Sequence, residues 1–195
     1  SDFIDGADST AGASMGQAII VETEGTAGAD LNVDSSLFDD VETDAVRFEA
    51  GGSGANNADV LNNTVTNPGG PDNFPNGGSF QMLVNDSAAL NFDIQGNVQN
   101  DLPGDGIIVA ATSCGGSISG RIGGPLPAQG NEINGGVNNG GIPVSDGIVV
   151  TDVGVNATGA ETMMLLIQNN TIDPGGGDDG IQFSVGDSDG TYDVT

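Results

Sequence analysis

The chain has 195 residues, 36% of them hydrophobic, and its 28 acidic residues face only two basic ones, which gives a formal net charge of −26. This excess of negative charge excludes nucleic acid and anionic membranes as partners, because neither a phosphate backbone nor a lipid headgroup would find cations here. No apolar run reaches the roughly 18 residues that cross a bilayer, so the sequence also predicts no membrane insertion.

The chain divides into a short lead-in and one long domain. Residues 1–16 are rich in Asp, Ser and Gly, and we expect an irregular lead-in there. From 17 to 195 we predict a single domain in which short apolar strands alternate with a second type of segment. The six strands of the first type are predicted at residues 18–22, 45–49, 80–84, 106–110, 147–151 and 180–185.

The second type of segment contains a bend between apolar residues. Residues 167–172 read Ile-Gln-Asn-Asn-Thr-Ile, and residues 60–65 repeat this as Val-Leu-Asn-Asn-Thr-Val. Asparagine tolerates a left-handed backbone, which suits a bend. The predicted bend residues are Asn62, Asn63, Asn97, Asn169 and Asn170. Variants of the segment are predicted at residues 33–38, 94–98, 118–122 and 133–137.

Such short strands favour a stacked fold. A strand of about five residues buries two or three side chains, so one pair of segments does not fold alone. Stacking at about 4.8 Å lets each strand hydrogen-bond to its equivalents and aligns like residues in columns. We expect one column to hold Ile118, Ile133 and Ile167, and another to hold Asn63 and Asn170.

The predicted fold class is therefore all-β, a parallel β-helix (solenoid) of about six coils with variable Gly-, Asn- and Asp-rich loops. Residues 68–78 and 123–141 are the clearest of these loops. A Greek-key sandwich is the alternative, since short strands with glycine-rich turns serve it too. A sandwich would not require the same asparagine bend several times.

The bend motif at 167–172 and the Ile-Ser-Gly motif at 118–120 alternate with Gly-Ile-x-Val strands such as 147–150. In this they resemble right-handed parallel β-helix proteins of the pectin-lyase-like class, over residues 17–195. That class includes polysaccharide lyases, glycoside hydrolases, phage tailspikes and bacterial surface or adhesive proteins. The resemblance implies a right-handed coil and leaves the activity open.

The residues favour a non-catalytic chain over an enzyme. The resemblance implies an Arg or Lys base for a lyase and two or three Asp for a hydrolase. Arg47 is predicted to pair with Glu49 or Asp44, and Arg121 to lie at a solvent-facing bend. The chain has no His, so a Cys–His pair is excluded, and Cys114 is interpreted as a small buried residue.

Calcium is the cofactor that the acidic residues favour. Aspartates with nearby glycines flank the last strand and could combine carboxylate with carbonyl ligands around a hard cation. The predicted calcium ligands are Asp178, Asp179, Asp187 and Asp189. Residues 51–59 resemble a calcium-binding nonapeptide, with Asn56 in the place of an Asp. The acidic cluster at 39–44 is interpreted as a solvated loop, with an ion site or catalysis as alternatives.

From these features we expect a structural or adhesive β-solenoid module of an extracellular or cell-surface assembly. The predicted partners are a second copy or further coils beyond residue 195, since the chain stops inside a bend segment, and a glycan or cell-surface molecule. A glycoside hydrolase of the β-helix type and a calcium-dependent glycan-binding module are the alternative functions.

Overall fold

The structure is a computed structural model that describes residues 2–4, 17–39, 41, 43–66, 79–102, 104–112, 115–135, 146–152, 162–173, 179–185 and 191–195. Within these ranges the chain forms eighteen β-strands and one short 3-10 helix, Pro127–Gln129.

The strands form three sheets of six strands each. Sheet I contains β2 (Ile19–Thr23), β5 (Val46–Ala50), β8 (Phe80–Asn85), β11 (Ile107–Thr112), β14 (Ile148–Asp152) and β17 (Ile181–Val185). Sheet II contains β3 (Asp30–Asp34), β6 (Ala55–Leu61), β9 (Ala89–Gln95), β12 (Ser117–Ile122), β15 (Thr162–Ile167) and β18 (Thr191–Val194). Sheet III contains β1 (Asp2–Ile4), β4 (Leu37–Asp39), β7 (Thr64–Thr66), β10 (Val98–Leu102), β13 (Glu132–Gly135) and β16 (Thr171–Asp173).

The chain passes through sheets I, II and III in turn, and each pass is one coil. All strand pairs are parallel, so a residue lies between its equivalents in the coils before and after, as Val46 lies between Ile19 and Phe80. Equivalent corner residues in five successive coils are 27, 34, 34 and 39 residues apart. The strands are therefore constant from coil to coil, and the connections absorb the difference in length.

Inward-pointing side chains form apolar rows along the molecule. One row of sheet I contains Val46, Phe80, Ile107 and Ile148, all fully buried. The strand β6 shows why the sequence folds this way, because its residues alternate between exposed and buried from Ala55 to Val60. A period of two places every second side chain in the core.

The predicted parallel β-helix of about six coils is confirmed, with six strands in each of three sheets. The right-handedness of the coil stays a prediction. The six strands predicted between residues 18 and 185 match sheet I to within one or two residues. Each complete bend segment consists of two strands, one in sheet II and one in sheet III, with the bend as the corner between them.

Two of the predicted bends are wrong. Residues 118–122 lie inside β12, and residues 133–135 lie inside β13, while 136 and 137 fall outside the described ranges. Gly120 suggested a turn, but a Cβ atom there would come within 2.3 Å of the Phe92 ring. The glycine therefore makes room for an aromatic side chain in the core.

The predicted column of Ile118, Ile133 and Ile167 is also wrong. Ile118 is paired with Leu90, Ile133 with Ile172, and Ile167 with Ile122. The three isoleucines therefore belong to three different rows. All three positions are in strands, where β-branched side chains are favoured, so the sequences around them look alike. The positions are nevertheless not equivalent in the coil.

The predicted lead-in, residues 1–16, includes the strand β1, which pairs with β4. The rest of that segment lies outside the described residues, as does Cys114. Within the described part of the chain, no helix is long and apolar enough to cross a bilayer.

Candidate functional site

An asparagine ladder runs along the corner between sheets II and III. The Nδ2 atoms of Asn63, Asn97 and Asn131 each donate to the Oδ1 atom of the next asparagine, at 3.0, 2.9 and 2.9 Å, and the ladder ends at Asn170. The same Oδ1 atoms accept the backbone N–H of the preceding asparagine at 2.8 to 3.1 Å. Each side chain therefore satisfies a backbone donor that a corner would otherwise leave unpaired.

The second proton of each amide is used as well. Nδ2 donates to the carbonyl oxygen of Val33, Val60, Ile94 and Ile122, at 2.9 to 3.0 Å, from Asn63, Asn97, Asn131 and Asn170 respectively. These amides are buried in the first three cases, where an unmade hydrogen bond is costly. The ladder thus joins neighbouring coils through side chains as well as through the sheets.

In four of the coils the residue before the corner position makes the turn itself, with a left-handed backbone. Asn62 and Asn169 have φ angles of 56° and 54°, and Ser35 and Gly96 occupy the same place with 53° and 65°. The Asn62 amide also donates to Asp34 Oδ1 at 3.0 Å. That bond and one from the Ser35 hydroxyl hold the pKa of the Asp34 carboxyl below its usual value.

All five predicted bend residues lie at this corner: Asn62 and Asn169 in the turn, and Asn63, Asn97 and Asn170 in the ladder. Sequence reasoning missed Asn131, because six residues are inserted between β12 and the turn at Gly130. The signal that finds it is the spacing of Asn131 to Ile133, which equals that of Asn170 to Ile172 and places both apolar residues in one row.

A second buried asparagine occupies the corner between sheets I and II. Asn56 Oδ1 accepts the N–H of Ala29 at 3.0 Å, and its Nδ2 donates to the carbonyl oxygens of Gly54 and Ala89, both at 3.2 Å. The segment that resembled a calcium nonapeptide therefore uses this amide to join three coils. That role needs an amide, since a carboxylate lacks the two donors.

Both arginines of the chain are ion-paired. Arg47 donates to Glu49, two residues along the same strand, at 2.7 Å. Arg121 donates through Nε to Asp93 at 3.0 Å and through Nη2 to the other oxygen of the same carboxylate. It lies on β12 and not at a bend, which corrects the predicted position. Both guanidinium groups therefore bind carboxylates on the sheets, in partly exposed ion pairs.

Aspartates recur at the corner between sheets III and I. The N–H of Asp146 donates to Asp105 Oδ1 at 3.0 Å, and the N–H of Asp179 donates to Asp146 Oδ1 at 2.9 Å. Burial raises the pKa of the Asp105 carboxyl, and the negative charge of Asp146 acts in the same direction. In an earlier coil Asp44 is buried and accepts from the amides of Gln17 and Gln81 at 3.0 and 2.7 Å.

Of the predicted calcium ligands, only Asp179 lies within the described residues, where its backbone joins the aspartate corner. Asp178, Asp187 and Asp189 fall outside those ranges, as do Asp40 and Glu42 of the acidic cluster. Among the described side chains, no three His, Cys, Asp or Glu residues are placed to hold a metal ion together. The calcium site therefore stays a prediction.

Three of the surface clefts on the described part of the coils bear on function. They have volumes of about 280, 230 and 200 Å³. The second is lined by Asp59, Asp93 and Gln95, and the third by Glu22, Glu49 and Asp86 among others. All are smaller than the roughly 300–1,000 Å³ usual for ligand pockets. The second cleft also contains the carboxylate that Arg121 binds, so its chemistry is already partly neutralised.

Comparisons with protein-family models, with curated proteins and with solved structures found no match.

Proposed function

We propose that this chain is a non-catalytic structural module, a rod of stacked coils within an extracellular or cell-surface assembly. The observation that supports it is the use of the polar side chains. Five buried or half-buried asparagines and both arginines are committed to joining strands and coils, namely Asn56, Asn63, Asn97, Asn131, Asn170, Arg47 and Arg121. Polar groups used in this way stabilise a repeating scaffold rather than hold a substrate.

The charge and the bend motifs support an extracellular setting for this rod. A net charge of −26 keeps such a rod soluble and separate from nucleic acid, and it suits a medium whose cations screen it. The bend motifs resemble those of the pectin-lyase-like class, which includes bacterial surface and adhesive proteins. Antibody labelling of intact source cells tests the location, since a signal that requires permeabilised cells would contradict it.

The rod itself is tested by measuring a distance inside one molecule. Asp30 and Asp193 are exposed and belong to one outward row of sheet II, five coils apart. At about 4.8 Å per coil the backbone distance is about 24 Å. Spin labels on Asp30→Cys and Asp193→Cys, with Cys114→Ser, are measured by electron–electron resonance in excess unlabelled protein.

A stiff structural module gives one narrow distribution of label distances around this value. The distribution is the same at low and at high salt. Labels on Asp30→Cys and Ser119→Cys, three coils apart in the same row, calibrate the rise per coil. A broad distribution for the long pair beside a narrow one for the short pair indicates a hinge. That result would contradict a rod that transmits a fixed spacing.

The alternative of a calcium-dependent module is tested separately. If the aspartates that flank β17 bind calcium, the ion raises the melting temperature by mass action, and Asp179→Asn with Asp189→Asn removes the rise. A melting curve that is the same in calcium and in EDTA would show that calcium does not stabilise the folded chain.

The alternative of a glycoside hydrolase is tested by incubation with neutral galactans and glucans. Such an enzyme needs two carboxyl groups flanking the scissile bond, and Asp59 and Asp93 line the same cleft. New reducing ends that disappear in Asp59→Asn would overturn the non-catalytic proposal.

A further inference from the structure

One segment in the middle of this acidic chain contains no acidic residue. The chain has 28 acidic residues in 195, about one in seven, yet none occurs from residue 106 to residue 131. This acid-free segment includes β11 and β12, which follow each other in one coil. The strand β15, which pairs with β12 in sheet II, has no acidic residue either. Two adjacent strands of sheet II therefore carry no negative charge.

The carboxylate beside these two strands is neutralised. Asp93 on β9 lies next to Arg121 on β12 in one outward row, and both oxygens of the carboxylate bind the guanidinium group. Copies of a strongly negative protein repel one another, and like charges that face each other across an interface oppose association. The outer face of β12 and β15 is a surface where two copies meet without opposing carboxylates.

The same region carries the two most exposed large apolar side chains of the described residues. Leu126 is 61% exposed and Met164 is 51% exposed. Met164 projects from the outer face of β15, and Leu126 belongs to the insertion at residues 123–130 that follows β12. Exposed apolar side chains that lie together on an otherwise polar surface mark an interaction site.

The insertion holds Leu126 in a fixed position. The Leu126 N–H donates to Gln129 Oε1 at 3.2 Å, and the Leu126 carbonyl oxygen accepts the Gln129 N–H at 2.9 Å. The Asn169 amide donates to the Gly124 carbonyl oxygen at 2.7 Å, and the Gly96 N–H donates to the Gln129 carbonyl oxygen at 3.1 Å. The insertion is thus tied to the coils before and after it. Such a side chain loses little further freedom on binding.

The cleft of about 280 Å³ on the outer face of sheet II is able to receive a leucine side chain. It is lined by Ser119, Gly120, Met164, Leu165, Leu166, Asp193 and Thr195. A cavity of about 150 Å³ already holds a benzene molecule, so a leucine side chain fits here. The lining is mostly apolar or uncharged, with Asp193 as its one carboxylate.

The insertion stands beside the same face of the molecule. Its Gln129 lines the second cleft together with Asp59 and Asp93. Both aspartates project outward from sheet II, because they alternate with buried residues along β6 and β9. An exposed leucine and a cleft that fits it therefore occur on one surface of one chain.

We propose that two copies of this chain pair through this surface, with Leu126 of each copy inserted into the cleft beside Met164 of the other. Since both features lie on one surface, a two-fold axis in the plane of contact exchanges them, and the contact closes as a dimer. The pairing removes Leu126 and Met164 of both copies from water. It rests on the proposed structural role and specifies a second copy as the partner.

An exchange of charge between the two positions tests the contact. Leu126→Lys and Met164→Asp replace side chains that are more than half exposed, so both variants fold. Each variant alone pairs at least about tenfold more weakly than wild type, because an apolar contact is lost twice. In the equimolar mixture, the new lysine of one copy meets the new aspartate of the other, while the second contact keeps its leucine and methionine. Sedimentation velocity therefore shows more dimer in the mixture than in either variant alone.

The control for the added charge is Ile20→Asp. Ile20 is 47% exposed at an outward position of β2 in sheet I, away from the proposed contact. This variant pairs as wild type does, and mixing it with Leu126→Lys does not restore pairing of the lysine variant. Equal weakening by Ile20→Asp and Met164→Asp, or a mixture of Leu126→Lys and Met164→Asp with no more dimer than its components, overturns the proposed contact.

Disulfide trapping between two separately made variants locates the contact. Leu126→Cys and Met164→Cys, each with Cys114→Ser, are mixed and oxidised in air, and covalent dimers form because the two positions meet across the axis. Leu126→Cys mixed with Ile20→Cys is the control, and equal trapping in the two mixtures refutes the contact. Wild type that stays monomeric at every protein and salt concentration, combined with a narrow spin-label distance, refutes the dimer and leaves the structural role intact. A broad spin-label distance contradicts the structural role itself.

Discussion

At the scale of single residues, the fold depends on side-chain amides that serve as corner groups. Asn97 is fully buried and takes part in hydrogen bonds to Asn63, Val60 and Asn131. Each bond contributes modestly, but each partner left unpaired in the interior costs its full desolvation. The ladder positions are therefore among the least replaceable in the chain.

We predict that Asn97→Ala lowers the free energy of unfolding by about 3 kcal/mol or more, because it leaves several buried groups without partners. Urea denaturation followed by circular dichroism measures this. Asn91→Ala is the matched control in the same coil, since Asn91 is exposed and makes one long bond of 3.4 Å to Asn57. The control should lose no more than about 0.5 kcal/mol. Equal losses of unfolding free energy for the two variants would contradict a stabilising role of the ladder.

Gln99 gives a prediction of the opposite sign. It is fully buried at an inward position of sheet III, and neither amide atom has a hydrogen-bond partner among the described residues. We predict that Gln99→Met, similar in volume and without the amide, raises the free energy of unfolding by about 1–2 kcal/mol. Gln95→Met is the control, because the Gln95 amide binds Asp93 and its loss destabilises. Destabilisation by Gln99→Met would contradict an unsatisfied amide.

Residues of the ladder were predictable where the motif was contiguous. Asn63, Asn97 and Asn170 follow directly on an apolar strand with one turn residue between, so their letters align. Asn131 and Asn56 were not found, because the first follows an insertion and the second serves a different corner. In both cases the reason for the amide is a backbone group in another coil, which sequence order does not display.

At the scale of elements, packing between neighbouring strands decides where small residues occur. Gly120 on β12 lies beside Phe92 on β9, and a Cβ atom would contact the ring at 2.3 to 2.5 Å. The row alternates large and small side chains because the coil interior has a fixed width. A glycine that resembled a turn residue is thus a core residue.

We predict that Gly120→Ala lowers the free energy of unfolding by about 2 kcal/mol through overpacking. The double variant Gly120→Ala with Phe92→Leu should recover part of this loss, since the smaller side chain gives up the space that the methyl group needs. Ser119→Ala, on the outward face of the same strand, should change little. Absence of any coupling between positions 120 and 92 in thermal unfolding would argue against the packing.

The aspartate corner between sheets III and I adds a pH dependence. Because burial raises the pKa of Asp105, the folded chain holds this proton more tightly than the unfolded chain does. The free energy of unfolding therefore falls as pH rises from the ordinary carboxyl range through the raised pKa. We predict that Asp105→Asn, which cannot ionise, melts higher than wild type at neutral pH and that the two converge in acid.

Melting temperatures recorded from acid to neutral pH check this prediction. Asp59→Asn, at an exposed position, controls for the loss of one negative charge. A difference between Asp105→Asn and wild type that is constant with pH would contradict the raised pKa. Sequence reasoning did not identify this corner, although Asp105, Asp146 and Asp179 each precede a Gly-Ile pair at the start of a sheet I strand. They are 41 and 33 residues apart, and the bonds between them join different coils, which sequence order does not display.

At the scale of the whole molecule, the architecture was predictable and the strand β1 was not. Recurring apolar strands and asparagine bends indicated parallel stacking, because in stacked coils every equivalent corner needs the same type of residue. The strand at Asp2–Ile4 had no such signal, since three residues are too few to show the alternation of apolar and polar side chains that marks a strand. Its place becomes evident only in the sheet order, where it precedes β4.

The stacked coils depend most on the asparagine ladder, and nuclear magnetic resonance of the side-chain amides tests the ladder directly. We predict that the NH₂ groups of Asn63, Asn97 and Asn131 exchange slowly with solvent and show nuclear Overhauser contacts from one asparagine to the next, across 34 residues of chain. The exposed amide of Asn57 should exchange rapidly. If Asn63, Asn97 and Asn131 exchanged as rapidly as Asn57 and showed no contacts with one another, stacked coils in this register would be contradicted.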